Sequence, residues 1–206
     1  MLSTPERIQL LTEACSRQEV QRWTGCITSD DLNAWLSSEL GSALALDKFL
    51  PHGPLHSKAI APKCILHIVS GNTPHAAFQS IIRGLLIGSH NIVKIPATGL
   101  HPFTDALEHF PKPLRELIET HNTLEDKDWL KADVVIAIGS DESIAAIHQR
   151  TVLCVFQNNQ AQDGAAVDIA GGSSSFRGCI FRDNVARSYG GAVRQSTDPQ
   201  IRTSSH

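Results

Sequence analysis

The residues best suited to chemistry lie in two turns, each between an apolar run of strand length and a helical pattern. The first turn reads SGNTP and contains Asn72, and the second reads IGSDES and contains Gly139 and Ser140. Both turns are expected at the carboxyl edge of one sheet, where open α/β sheets bind ligands. Backbone N–H groups at a helix start and a small hydroxyl suit a phosphate oxygen. A plain tight turn and helix cap is the commoner interpretation of such residues, and both interpretations stay open.

Lys94 is a further candidate, near the end of the apolar run NIVKI. A lysine in such a strand must carry its ammonium group to the edge of the sheet to reach water or an anion. Lys94 is therefore a more unusual residue than those of the two turns, and both water and an anion stay open as its partner.

The elements that position these candidates follow a strand–helix–strand pattern. Cys64 to Val69 is a short apolar run, SGNTP leads into an apolar helical stripe that ends at Gly88, and NIVKI forms the next strand. A third run, ADVVIAIG, leads directly into a helix that Ser140 can cap. The fold class expected is α/β, with a parallel sheet covered on both faces.

The flanking segments predict mainly helix. One helix is expected over about residues 5–22, and a second is expected to start at Ser29 and continue toward Leu44. Prolines and a glycine over residues 50–62 are expected to break any regular element. A further helical stretch is expected around Leu114, Leu117 and Ile118, between the second and third strands.

Composition excludes several classes of function. A net charge of −3 gives no field that would attract nucleic acid, and no apolar run is long enough to span a membrane. The five cysteines are scattered without a C-x-x-C pair, which favours buried thiols in a reducing compartment, so a cytoplasmic protein without a metal site is expected. Three of them, Cys15, Cys26 and Cys64, are expected in the core.

The blocks GNTPHAAFQSIIRGLLIGSHNIVKIPATG and ADVVIAIGSDESIAAI together resemble the long-chain acyl-CoA reductases of the bacterial luminescence type, within the aldehyde dehydrogenase superfamily. The resemblance covers about residues 60–150 and, more loosely, the preceding helices. It implies a partial Rossmann-like sheet of the aldehyde dehydrogenase type and a long-chain acyl-CoA as substrate. Other copies of the chain or partner subunits are further expected partners.

The resemblance also implies roles for the four candidates. Asn72 matches the asparagine whose amide stabilises the thiohemiacetal oxyanion, and Lys94 matches the lysine that contacts the adenosine ribose or its 2′-phosphate. Gly139 and Ser140 match the turn beside the pyrophosphate. Relatives that prefer NAD often carry a glutamate three residues after the lysine, where this chain has Ala97. The resemblance therefore implies NADPH as the cofactor.

The last quarter of the chain departs from that family. CVFQNNQAQDGAAV and CIFRDNVARSYGGAV repeat with a period of about 25 residues, as Cys154 and Cys179 show, and resemble the parallel β-helix repeats of secreted adhesins. No cysteine matches the nucleophile site of the family. Four segments are expected, namely helices over 1–60, a partial dinucleotide-binding domain over 61–150, two β-solenoid-like repeats over 151–195 and a polar tail over 196–206.

Three hypotheses about function follow. The first is an NADPH-dependent long-chain acyl-CoA reductase that forms a fatty aldehyde, incomplete because the nucleophilic cysteine domain is missing. The second is a non-catalytic binding or surface protein in which an adhesin-like β-helix is the functional part. The third is a nucleotide-binding remnant or partner subunit without chemistry.

Overall fold

The computed structural model describes residues 2–69, 74–97, 101–159 and 177–182. Among the described residues, five helical segments come before the second strand of the main sheet and four come after it. The α-helices are α1 Thr4–Ser16, α2 Gln18–Thr24, α3 Ser29–Leu40, α4 Pro74–Ile87, α5 His101–Leu107, α6 Lys112–Arg115, α7 Asp126–Lys131 and α8 Asp141–Asn159, with a 3-10 helix at Ala43–Leu46. The strands are β1 Leu50–His52, β2 Leu55–Ser57, β3 Cys64–Ile68, β4 His90–Lys94, β5 Ile118–His121, β6 Val134–Gly139 and β7 Arg177–Arg182.

The main sheet has the strand order β5-β4-β3-β6-β7. Strands β5, β4, β3 and β6 are parallel, which confirms the expected α/β class and its parallel sheet. The chain first moves outward from β3 to β4 and β5, and then crosses back to place β6 on the other side of β3. The order therefore reverses between β3 and β6, which defines a switch point at the carboxyl ends of these two strands.

Each face of the sheet is covered by its own apolar cluster. One cluster joins the sheet to α1 through α5 and includes Leu11, Phe78 and Phe103, all fully buried. The other lies under α7 and α8 and includes Leu66, Trp129 and Ile144. Because both faces are buried, the central strands are nearly continuous apolar runs rather than alternating ones.

The N-terminal helices differ from the prediction at one point. The helix expected over about residues 5–22 is two helices, α1 and α2, because Arg17 between them is extended. α1 begins at Thr4 with Ser3 as its N-cap, and the Ser3 N–H donates to Glu6 Oε2 at 2.7 Å in a capping box. The bend brings Val20 of α2 into the same apolar cluster as Leu11 of α1.

Two regions predicted as loop or helix contain strands. Over the proline-containing segment, β1 and β2 form an antiparallel hairpin in which Leu50 pairs with Ser57, so the expectation of no regular element is wrong. Gly53 has a φ of 60°, which a hairpin turn requires and glycine adopts readily. Ile118, expected in a helix with Leu114, begins the edge strand β5.

The C-terminal part also differs from the expected solenoid where it is described. α8 continues through Asn159, so the residues from Cys154, expected as the first extended run of the repeat, are helical. The second run, Arg177–Arg182, is extended as β7, but it pairs antiparallel with β6 in the main sheet. This pairing supplies partners for the backbone groups of β6, which would otherwise be a free edge. The remainder of the expected repeats lies outside the described residues.

A buried polar network ties β3, β4 and α4 together. His67 is fully buried in β3, with Nδ1 2.8 Å from Ser80 Oγ and Nε2 2.9 Å from Asn91 Oδ1. The Asn91 amide in turn donates to the carbonyl of Ser89 at 2.7 Å. Because Asn91 Oδ1 can only accept, the proton of the neutral imidazole lies on Nε2, and the Ser80 hydroxyl donates to Nδ1. Burial lowers the pKa of His67 to about 4.

Acidification is expected to destabilise the fold through His67. The unfolded chain binds a proton near pH 6.5 and the folded chain only near pH 4, so stability falls as the pH drops through that window. The free energy of unfolding, measured by urea denaturation, is expected to fall by about 2 kcal/mol more between pH 7 and pH 5 in the wild type than in His67→Gln. Equal pH dependence in the two proteins would contradict this account of His67.

Candidate functional site

The carboxyl edge of the sheet brings together the ends of β3, β4, β5 and β6. Lys94 on β4 pairs with Ile68 on β3 and with His121 on β5, and Ile68 pairs with Ala137 on β6. Paired residues of adjacent parallel strands point to the same face, so these four residues form one row across the sheet. Ile68 packs against the cluster under α7 and α8, which identifies the face.

Lys94 is half-buried at this edge. Within the part of the chain that the structure describes, no carboxylate lies within ion-pair distance of its ammonium group. Ile95, the residue after β4, is buried and its N–H donates to the carbonyl of His121 at 2.7 Å. The strand therefore fixes the backbone of Lys94 firmly, while its charged end is left to water or to an anion.

Gly139 and Ser140 form the turn from β6 into α8. Ser140 Oγ accepts from the Ser143 N–H at 3.3 Å, and the Ser140 carbonyl accepts from the Ile144 N–H at 2.9 Å, so the predicted cap is confirmed. The hydroxyls of Ser140 and Ser143 are 3.0 Å apart. When Ser143 donates in that contact, the Ser140 hydroxyl hydrogen remains free to donate to a bound anion.

The turn at Gly139 leaves room for a ligand, and its charge pattern is mixed. A methyl group built at Gly139 would meet only Ser143 Cβ, at an ordinary 3.5 Å. Asp141 and Glu142 open α8 and are exposed, so water screens their repulsion of a nearby anion. The N–H groups of the helix start remain the attractive element for a phosphate.

Lys94 and Gly139 lie on strands that are not adjacent in the sheet. Gly139 lies on β6, two strands away from Lys94 on β4, and strands are spaced about 4.8 Å apart, so the two strands are about 10 Å apart. A single small ion cannot contact both, whereas an extended ligand lying along the edge can. Asn72, predicted as an oxyanion donor, lies outside the described residues.

Two of the thiols that the structure describes are poorly suited to nucleophilic attack. Cys15 and Cys64 are buried, as expected, and burial raises the pKa of each thiol to about 11. Little thiolate is therefore present at neutral pH. Cys26 is exposed, so its expected place in the core is wrong.

Sequence reasoning missed a polar cluster on the α7 side of the sheet. Its members, called here the β4–β5 polar cluster, are His90, Glu119, His121, Asp128 and Lys131. Alternation in IETH places Glu119 and His121 on one face of β5, which was the available signal.

Among the residues that the structure describes, no three His, Cys, Asp or Glu side chains are arranged to hold a metal ion. The same residues include no helix long and apolar enough to cross a bilayer.

Comparison with known proteins identifies the family. Residues 2–112 match the model of the acyl-CoA reductase (LuxC) family. The chain is 32% identical over 120 residues to a long-chain acyl-protein thioester reductase of Aliivibrio fischeri, covering 52% of this chain and 25% of the relative. For the corresponding protein of Photobacterium phosphoreum the identity is 30% over 121 residues, covering 53% and 25%. For that of Vibrio harveyi it is 35% over 69 residues, covering 34% and 14%.

The matches with the first two relatives thus span about a quarter of their length. The family match includes the segment with Asn72 and Lys94 and ends before β5. Since it covers more than half of the 206 residues, the chain belongs to the acyl-CoA reductase (LuxC) family.

Proposed function

We propose that the described α/β unit binds the adenosine and pyrophosphate part of NADPH, as the cofactor-binding portion of a long-chain acyl-CoA reductase of the aldehyde dehydrogenase superfamily. The observation that carries the proposal is Lys94, which has no carboxylate partner among the described residues and lies at the carboxyl edge of a sheet whose strand order reverses between β3 and β6. Dinucleotides bind at such switch points in Rossmann-like sheets. Family membership supplies the reaction class.

The residues of the edge fit such a ligand. Lys94 presents a cation to the ribose end, and the α8 start with Ser140 presents N–H and O–H donors to the pyrophosphate. The separation of about 10 Å between their strands calls for a ligand of dinucleotide length rather than a single phosphate. Ala97, exposed after Lys94, brings no carboxylate that would repel a 2′-phosphate.

When bound, NADPH supplies the hydride that converts an acyl thioester to an aldehyde and releases the thiol. In this proposal Asn72 donates an amide hydrogen bond to the oxyanion that develops on the acyl carbon. No nucleophilic cysteine is assigned, since Cys15 and Cys64 have raised thiol pKa values and no other cysteine matches the family site. We therefore expect the 206-residue chain to bind NADPH without completing turnover on a long-chain acyl-CoA.

Lys94→Ala is expected to weaken NADPH binding about tenfold or more, because a charge-assisted hydrogen bond contributes about 1.5–3 kcal/mol. Isothermal titration calorimetry with NADPH and NADH measures this effect. NADH, which lacks the 2′-phosphate, is expected to lose much less affinity. Lys112→Ala, an exposed lysine paired with Glu116, is the matched control and should leave NADPH affinity unchanged.

A second variant tests the specificity separately. Ala97→Glu places a carboxylate near the 2′ position, so it should repel NADPH and shift preference toward NADH. Failure of the wild type to bind NADPH, or identical NADPH affinity of the wild type and Lys94→Ala, would contradict the proposal.

A further inference from the structure

The β4–β5 polar cluster lies beside the proposed cofactor edge, yet the proposed function makes no use of it. Its carboxyl-edge member is His121, the last residue of β5. His121 pairs directly with Lys94, so the two side chains leave adjacent strands on the same face, about 4.8 Å apart at the backbone. An anion bound by Lys94 would therefore lie next to an imidazole.

The imidazole ring of His121 has long contacts with two carboxylates and is partly exposed to solvent. Its side chain is 27% exposed, with Nδ1 3.6 Å from Asp128 Oδ2 and Nε2 3.6 Å from Glu119 Oε2. Both distances allow electrostatic attraction but exceed those of normal hydrogen bonds. Each ring nitrogen can thus turn to another acceptor without the loss of a well-formed bond.

The two carboxylates beside His121 are already engaged by other groups. Glu119 Oε1 lies 3.3 Å from Lys131 Nζ and 3.2 Å from His90 Nε2. Asp128 is buried and accepts from the Glu125 N–H at 2.8 Å. Partial burial raises the pKa of Glu119, but Lys131 and His90 outweigh it and the net pKa is lowered, so Glu119 is ionised at neutral pH.

Lys94 and the β4–β5 polar cluster together carry two ammonium groups and two carboxylates. The ammonium groups of Lys94 and Lys131 balance the carboxylates of Glu119 and Asp128. A phosphomonoester beside Lys94 would add close to two negative charges. A proton taken up by His121 offsets part of that charge at the point of contact.

We propose that His121 is a specificity-determining residue that binds, together with Lys94, the 2′-phosphate of NADPH. The inference rests on the proposed function, because it needs the adenosine end of the cofactor at this edge. It extends that function from β4 to β5, and it makes selectivity for the 2′-phosphate dependent on pH.

The test compares two ligands that differ only in the phosphate concerned. Adenosine 2′,5′-bisphosphate and 5′-AMP are titrated calorimetrically into the full chain, as the wild type, His121→Gln and His90→Gln. His90 belongs to the same cluster but lies at the amino end of β4, so it is the matched control. The ratio of the two affinities isolates the 2′-phosphate, and 5′-AMP binding verifies that each variant is folded.

His121→Gln is expected to lower the preference for the bisphosphate about tenfold at pH 6.5, with 5′-AMP affinity unchanged. His90→Gln is expected to keep the preference. Titrations in buffers of different ionisation enthalpy should show less proton uptake on bisphosphate binding in His121→Gln than in the wild type. Because the 2′-phosphate itself titrates near pH 6, only this difference between proteins is assigned to His121.

The outcomes separate the two proposals. A wild type that prefers the bisphosphate, with the same preference and proton uptake in His121→Gln, would overturn the role of His121 and leave that of Lys94 intact. An equal loss in His90→Gln would also overturn it, because the effect would then belong to the cluster as a whole. A wild type that binds neither ligand would overturn the proposed cofactor site and this inference with it.

Discussion

Gly84→Ala is expected to lower the free energy of unfolding by about 3 kcal/mol, the upper part of the range for overpacking a core. Gly84 lies inside α4. A methyl group added there would overlap Asn91 Oδ1 and lie 3.0 Å from Asn91 Cγ. Asn91 cannot withdraw without leaving Nε2 of His67 unpaired in the core. Urea denaturation at pH 7.5 measures the loss.

A loss of stability would distinguish steric overlap from helix propensity, because helix propensity alone predicts that Gly84→Ala stabilises the fold. Glycine to alanine inside a helix ordinarily gains about 1 kcal/mol. Gly139→Ala is the matched control, since its methyl group meets only an ordinary contact and its stability should change by less than about 0.5 kcal/mol. A stabilised Gly84→Ala would show that the His67–Asn91 network is not packed as described.

Arg7→Ala is expected to destabilise the fold by about 3 kcal/mol, because it leaves a buried carbonyl unpaired and opens a cavity. Arg7 is 3% exposed, and its Nε donates to the Leu86 carbonyl at 2.8 Å near the end of α4. Its Nη2 donates to Thr4 Oγ1 at 2.7 Å, and the Thr4 hydroxyl donates to Asp47 at 3.0 Å. One guanidinium thus joins the N-terminal helices to the α/β unit.

Arg7→Lys should recover only part of the loss, since an ammonium group cannot reproduce the planar fork of donors. Arg17→Ala is the control: Arg17 is about half exposed and pairs with Glu13 at 2.9 Å, an interaction that contributes little to stability. Similar denaturation midpoints for Arg7→Ala and Arg17→Ala would refute a structural role for Arg7.

The central strands and the helix between them could be predicted because their signals are local. An apolar run such as Cys64 to Val69, a turn and an amphipathic stripe ending at Gly88 each occupy a few consecutive residues. The observed β3, α4 and β4 follow those signals closely. The parallel arrangement followed from the burial of both faces, which leaves no alternation in the strands.

The edge elements could not be predicted, because their signals are weak or coincide with those of helices. Leu114, Leu117 and Ile118 have helical spacing, yet Ile118 begins β5, which is only partly buried and therefore lacks an apolar run. The apolar spacing of α1 also continues into α2, so nothing in the residue pattern marks the break at Arg17. β7 depends on pairing with β6 across the chain, which no local pattern encodes.

The candidate site could likewise be predicted only where a local sequence pattern marks its residues. Lys94 could be singled out because a lysine in an apolar strand is unusual, and the structure places it at the carboxyl end of β4. His121 could not, since its importance comes from the register that pairs it with Lys94. Register is set by the packing of whole strands and is not visible in either segment alone.

The most direct test of the cofactor site is an NMR titration of the ¹⁵N-labelled chain with NADPH. The account predicts that amide signals at the carboxyl ends of the strands shift saturably while those at the amino ends stay in place. The reporters expected to move are Val69, Ile95, Asn122 and Ser140, and those expected to stay are Lys63, Ser89 and Asp133. Shifts confined to the second group, or no saturable shift at all, would contradict a cofactor site at the carboxyl edge.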